Sequence, residues 1–408
     1  MENLTQSQLI RKEAIERYFD KKEEPKTIYK SLGRTKGWFS KLITKCRKHQ
    51  RKKVIQGFSK APHKVWNKID EEIITKVVEI RKKLRKNEGE NRYQYKGAIA
   101  VQIALEDENY QGHIPSISTI KKIIRERDKI TQPKKGKRKK SGRYYPLLRP
   151  TLKNEVHQLD LVGPRYIKND GLVYMVNIVD VVSFQAGMEI ERNKSASALE
   201  KTLIGHWTKE AIPRYLQMDN EAAARGGMYH ERSMGRIIRL CLYLDVEVVF
   251  IAESSPWMNG TIESFNNRTG EVFWEQEEFK NRQHMLEERV IWIDNHNRYQ
   301  ERTRGKLKSI PLRRLPNVSN IPKKLPISEG KIHFIRYVKE NKEGHGIVKV
   351  LNEEIKIPEG YIKEYVWITI DTKQEELKAY YQQKEYQSRR LIKQIKYKLR
   401  EPVVKGLT

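Results

Sequence analysis

The chain has 408 residues, enough for two to four domains, and its 82 Lys/Arg against 52 Asp/Glu give a formal net charge of +30. That excess favours a polyanionic partner, although by itself it fits a ribosomal or chromatin protein as well as an enzyme acting on nucleic acid. Two cysteines, Cys46 and Cys241, exclude a disulfide framework and a zinc knuckle; with no apolar run of membrane-spanning length and no signal peptide, a reducing cytoplasm is the expected compartment.

Residues 1–60 read as a helix-turn-helix module. Leu9, Ile10, Ala14, Ile15 and Tyr18 recur at helical spacing over Gln6–Phe19, Pro25 opens a short second helix stopped by Gly33, and Thr35 can cap a third over 38–49. Residues 34–53 hold nine Lys/Arg and no acid, which suits a third helix lying in a major groove, with Trp38, Lys41 and Lys45 as candidate DNA contacts. The alternative is a plain helical bundle with a solvated basic face. A second module is expected over 61–128, with helices at 70–85 and 95–106. A third, basic amphipathic helix follows the cap residues of Pro115-Ser116-Ile-Ser118-Thr119. Its candidate DNA contacts are Ser116, Ser118, Thr119, Lys121 and Lys122. Residues 129–150 read as a basic linker: 129–149 hold nine Lys/Arg, no acid and few apolar groups, a composition for tracking phosphates.

From 151 the pattern changes. Strand-like runs at 156–162, 173–182 and 185–190 are followed by a helix over Ala196–Lys209, a strand at 214–218, a helix over 229–242 and a strand at 246–251. Strands followed by alternating helix and strand imply a mixed sheet with helices on its faces. Residues 154–275 carry 12 Lys/Arg against 17 Asp/Glu, an acidic block within a basic chain. Asp160 lies inside the first strand run and Asp219 at the end of the fourth. Ser254-Ser-Pro256 then signals a turn into a helix whose apolar face is Ile262, Phe265, Thr269, Val272 and Phe273. Glu263 lies four residues after Asn259 and four before Asn267, on one stripe. Alone this is an N-capped surface helix; with two aspartates at strand positions, the three acids can converge at one edge of the sheet.

Asp160, Asp219-Asn220 and Pro256-x-x-Asn259-Gly260-x-x-Glu263, in that order, resemble the catalytic core of the integrase and transposase superfamily. Asn295-His-Asn-Arg298 followed by Ser309-Ile-Pro311 is similar to the segment after that core. The resemblance covers roughly residues 150–315. It implies a ribonuclease H-like fold over 151–315 and a triad of Asp160, Asp219 and Glu263 that is both catalytic and metal-ligating. Two Mg²⁺ or Mn²⁺ ions are implied, Asp160 bridging them and each of the other acids completing one. The nucleophile would be water for cleavage and a DNA 3′-hydroxyl for joining, with Asn259 as a further DNA contact. The partners implied are double-stranded element ends and target DNA, bound by a homo-oligomer near the bacterial nucleoid, with no membrane. Glu221 stands where the family has glycine, and 43 residues separate Asp219 from Glu263, which implies an insertion within 221–233. The second module is similar to the second helix-turn-helix of insertion-sequence transposases. A nuclease that cuts without joining, and a non-catalytic transposase-derived DNA-binding protein, remain alternatives.

Beyond a helix over 281–296, four alternating runs between 331 and 370 predict a small β-barrel over 325–373, similar to the C-terminal barrel of integrases. Residues 374–408 read as a basic helical tail. The expected architecture is thus multidomain α/β: helix-turn-helix modules, a ribonuclease H-like mixed core and a C-terminal barrel.

Overall fold

A computed structural model describes residues 4–58, 69–128, 144–220, 230–315, 317 and 321–407. The expected basic linker before 144, the start of the second module and most of the insertion expected over 221–233 lie outside the described residues. The chain divides into two compact units at Asp70/Glu71.

The first unit contains α1 (Gln6–Phe19), α2 (Pro25–Ser31), α3 (Lys36–Lys48) and α4 (Arg51–Gln56). Ala14, Ile15, Ile28, Phe39, Leu42, Ile43 and Val54 form its core. Gly33 adopts φ +62°, the left-handed turn that glycine takes without strain. Thr35 caps α3 by accepting a hydrogen bond from the Trp38 amide at 3.2 Å. Lys41 and Lys45 are exposed on α3, whereas Trp38 is half-buried against the core beneath the Arg34 guanidinium. The short α4, unanticipated in a basic stretch, is held by burial of Val54.

The second unit begins with α5 (Glu71–Lys86), α6 (Ala98–Asp107) and α7 (Ile117–Arg127). It continues with β1 (Val156–Ile167), β2 (Gly171–Asp180), β3 (Ala186–Glu191), α8 (Ala196–Lys209), β4 (Tyr215–Met218), α9 (Arg236–Tyr243) and β5 (Glu247–Phe250). A 3₁₀ turn over Pro256–Asn259 leads into α10 (Gly260–Thr269), a π turn over Gly270–Trp274 and the long α11 (Arg282–Arg304). Strands β6 (Ile327–Ser328), β7 (Lys331–Tyr337), β8 (Lys339–Glu340), β9 (Gly346–Val350), β10 (Glu353–Ile357), β11 (Tyr365–Asp371), β12 (Glu376–Tyr381), β13 (Arg390–Lys396) and β14 (Val403–Val404) complete it.

The main sheet runs β13-β12-β11-β7-β5-β4-β1-β2-β3. Strands β1, β4, β5 and β7 are mutually parallel; β1–β2, β2–β3 and the C-terminal pairs are antiparallel. The mixed sheet is consistent with the expected ribonuclease H-like core. Leu159, Val176, Ile178, Leu216 and Phe250 pack with α8 and α9 on one face. Val173, Met175, Val179 and Met188 pack with α10 and α11 on the other. Coverage of both faces explains why most of β2 is buried without alternation.

Three expectations are corrected. Of the strands expected as a separate barrel, β7 and β11 extend the core sheet, β7 pairing beside β5, while β9 and β10 form a separate three-stranded sheet with β8. Val348, Val350, Ile355, Ile357, Ile368 and Ile370 from both sheets share one apolar core. The expected helical tail is extended instead: β12 pairs with β11 and β13 with β12. Its many Lys, Glu and Gln residues favour helix, but Leu377 and Ala379 point alternately inward and tertiary pairing overrides that preference. The second module, expected as a domain of its own, packs on α11 within one unit. Tyr95 stacks on Tyr299 at 3.8 Å, Arg298 donates to Asp107 at 2.7 Å, and Asn295 donates to the Arg92 carbonyl at 3.0 Å.

Tyr93 is fully buried in the same contact, edge-on to Phe273. Tyr93→Ala should therefore destabilise the second unit by about 3–5 kcal/mol, the scale of removing a large buried ring. Calorimetry should show its transition falling while that of residues 1–70 stays in place; an unchanged second-unit transition would mean that the module folds separately.

Candidate active site

Strand register brings the acids together. Gln158 stands opposite Gln217, and Leu159 opposite Met218, in the parallel β1–β4 pair. Asp160 and Asp219 therefore follow at the same level of neighbouring strands. Side chains alternate along a strand, so Gln158 and Asp160 share the α10 face while His157 and Leu159 face α8.

The two glutamines then fix the helix that carries the third acid. Gln217 Nε2 donates to the Met258 carbonyl and to Asn259 Oδ1, both at 2.9 Å. Gln158 Oε1 accepts from the Ile262 amide at 3.0 Å. That amide lies in the first turn of α10, where no intrahelical acceptor exists, so a side chain from β1 serves as the cap. Glu263 follows immediately.

Asp160, Asp219 and Glu263, all half-buried, line one cavity of about 420 Å³ with Asn220, Glu253, Ser254, Ser255 and Asn259. Four carboxylates and no Lys, Arg, His or Cys appear among its described lining residues. Burial and the Asp219 charge push the Asp160 carboxyl up to about 6, with a smaller contribution from Glu263. The Leu161 amide and Asn266 oppose the rise. Asn266 Nδ2 donates to Asp160 Oδ2 at 2.6 Å and is itself oriented by Asn177, whose Nδ2 donates to Asn266 Oδ1 at 2.8 Å. Among the described residues, no group of three or more His, Cys, Asp or Glu side chains is drawn together closely enough to hold an ion by itself.

The remaining expected site residues behave differently. Asn259, expected as a DNA contact, is 3% exposed and accepts from Gln217 at the turn before α10. The amide that meets Asp160 is Asn266, three residues after Glu263; Asn267, expected on the Glu263 stripe, is exposed. His157, not among the expected site residues, is buried between Trp207 and Asn154 on the opposite face, where desolvation pushes its pKa down to about 3. Ser116 caps α7 by accepting from the Thr119 amide at 3.3 Å, leaving Ser118, Lys121 and Lys122 exposed on that helix. The run from Asn295 to Arg298 is structural. His296 Nε2 donates to the Phe184 carbonyl, so its Nδ1 accepts from Tyr95, and the Asn297 amide exchanges two hydrogen bonds with the Ala186 backbone.

Sequence reasoning missed Gln158, Gln217 and Asn177. A signal for the first two exists: Gln-x-Asp occurs at Gln158-Leu-Asp160 and again at Gln217-Met-Asp219.

No protein-family profile and no curated protein matches the chain. Solved structures similar to it include two forms of a viral integrase core and an intasome. The catalytic core domain of HTLV-2 integrase in complex with magnesium, in its dimeric form, is 14% identical with a TM-score of 0.26, over 38% of this chain and 88% of that one. Its trimeric form gives 13%, 0.26, 37% and 85%. A simian T-cell lymphotropic virus intasome in complex with the PP2A regulatory subunit B56 gamma is 15% identical with a TM-score of 0.32, over 64% and 94%.

Asp160 yields a pH signature. An unfolded aspartate titrates near 3.9 and the folded one at about 6, so folding takes up a proton between these values. Its contribution to stability is present below the unfolded value and lost as pH rises through the folded one. Across roughly pH 4 to 6.5, the melting temperature of the metal-free protein should fall relative to that of Asp160→Asn. A constant difference over that range would remove Asp160 from a repulsive cluster.

Proposed function

We propose that the protein is a DNA transposase or integrase that binds the terminal inverted repeats of a mobile element. It cleaves and joins DNA strands with a divalent metal at Asp160, Asp219 and Glu263. The observation that carries this reading is the convergence of these acids, from two strands and a helix distant in sequence, on one cavity without a basic residue in its described lining.

The donor set fits Mg²⁺ or Mn²⁺. All candidate ligands are hard oxygens, and the raised Asp160 carboxyl marks a site where a cation would relieve repulsion. Mg²⁺ commonly takes one or two protein carboxylates and completes its shell with water and substrate phosphate, so a closed three-acid cluster is not required. Asp160 with Asp219, and Asp160 with Glu263, would hold the ions. When bound, they stabilise charge on the entering and leaving oxygens of phosphoryl transfer. The chain's own part is positioning: Asn266 orients Asp160, and Gln158 and Gln217 hold the turn that presents Glu263. Exposed Lys41 and Lys45 on α3, and Ser118, Lys121 and Lys122 on α7, supply DNA contacts in this reading. Element ends and target DNA are the substrates, and a homo-oligomer would bring two ends together.

The test uses duplexes ending in the element's repeats, intact and pre-cleaved, with Mg²⁺ or Mn²⁺. Wild-type protein should cleave the first and join the second. Asp160→Asn, Asp219→Asn and Glu263→Gln should each lower both activities on the order of a thousandfold, as loss of a charge aimed at the reacting centre does, while DNA affinity holds. Activity persisting in excess EDTA would sink the metal reading, and cleavage without joining would favour a nuclease.

DNA binding gives a separate expectation. Replacing Lys121 and Lys122 with glutamine should flatten the salt dependence of affinity by about 0.9 per lost phosphate contact on a log–log plot. An unchanged slope would place α7 away from the duplex.

A further inference from the structure

Arg336, on β7, is 4% exposed, and its guanidinium lies where three chain segments meet. Nη2 donates to Asn220 Oδ1 at 2.7 Å, Nη1 to the Ile251 carbonyl at 3.1 Å and Nε to the Lys349 carbonyl at 2.9 Å. Asn220 closes the arrangement by donating its own Nδ2 to the Ile251 carbonyl at 2.6 Å. One planar group thus ties the residue after Asp219, the end of β5 and Lys349 near the end of β9 into a single corner. The Phe334 ring lies 4.9 Å from the guanidinium carbon. Asn220 and Ile251 are also in the wall of the acid cavity.

A buried cation is costly to desolvate, and at an inward strand position an apolar side chain would be simpler to accommodate. What the guanidinium supplies is geometry: several N–H donors fixed in a plane, able to satisfy three acceptors from different segments at once. Lysine has a tetrahedral ammonium on a flexible stem and cannot meet the same three together. We propose that Arg336 is a positioning residue of the acid site, fixing Asn220 and through it the backbone that presents Asp219. The C-terminal strands, on this inference, complete the catalytic centre. It rests on the transposase or integrase reading for its purpose, though the brace itself can be measured without turnover.

The experiment compares full-length Arg336→Met, Arg336→Lys and Asn220→Ala with wild type and with Leu377→Ala, a destabilising change in the shared core away from Arg336. Hydrogen exchange at residues 217–220, melting temperature, and kcat and KM for DNA joining are measured. Arg336→Met and Asn220→Ala should each speed exchange at Asp219 and Asn220 by about tenfold or more. They should lower kcat by about 10–100-fold, the scale of a small displacement at a reacting centre, with KM for DNA within about twofold of wild type. Arg336→Lys should recover part of the loss. Leu377→Ala should lower the melting temperature and leave exchange at the corner and kcat near wild type. Unchanged exchange in Arg336→Met or Asn220→Ala would overturn the brace, and faster exchange at wild-type kcat would overturn its role in positioning. If wild-type protein joins and cleaves no DNA, the functional reading fails while the exchange measurement still decides the brace.

Discussion

The register between β1 and β4 is the constraint on which the acid site depends. With Gln158 opposite Gln217, the two aspartates emerge level with each other and on the face that meets α10. A slip of one residue would reverse every side chain, sending both glutamines and both aspartates toward α8 and α9. Leu159, Leu216 and Met218 oppose such a slip because each is buried in the apolar cluster on that face. The core thus fixes which face the polar residues occupy, and the polar residues fix the helix. Gln158 accepts an amide that α10 cannot satisfy internally, and Gln217 grips the preceding turn through two acceptors. Glu263 inherits its place from this scaffold.

Bringing carboxylates together in a half-buried cavity is unfavourable without a cation, and the site contains few local remedies. Asn266 donates to Asp160, and Asn177 holds Asn266 so that its donor faces the acid. A neutral amide satisfies an oxygen lone pair without cancelling its charge, which leaves the residual field of the cluster intact. A lysine in the same place would have formed an ion pair and removed that field. The described lining therefore keeps a negative potential, which under the proposed function suits a divalent ion, while the chain's excess of Lys and Arg lies outside the acidic block.

Much of this was legible in the sequence, with identifiable gaps. The strand and helix order from 156 to 274 follows from hydrophobic periodicity, and the acids stand out because they interrupt or end apolar runs. The glutamines were overlooked because a buried amide has no composition signal of its own; its meaning depends on what lies opposite in the sheet. The burial of Asn259 has the same cause: its spacing places it on the Glu263 stripe, whereas its partner Gln217 lies on a distant strand. The tail failed for a different reason. Residues 374–400 favour helix locally, and the β11 edge that recruits them as strands is distant in sequence. The linkage of the C-terminal strands to the core was equally invisible, since alternation reports that a face is buried without saying against what.

Under the proposed function, the packing of the second module ties recognition to chemistry. Helix α7 rests on α5 and α6, and α6 rests on α11, which lies against β3 of the core sheet. The contact is specific: a tyrosine stack, an Asp107–Arg298 pair and a buried histidine whose tautomer is set by a core carbonyl on one side and Tyr95 on the other. Neutral His296 suits this arrangement, because desolvation pushes its pKa down to about 4. Helices joined to a core by such contacts move with it, so DNA held by α7 would be held at a fixed offset from Asp160. A tethered domain would instead sample many offsets and depend on effective concentration. Under the proposed function, positional accuracy of the cut follows from packing between α6 and α11, and the residues between Asn295 and Arg298 matter for that accuracy without touching the acids.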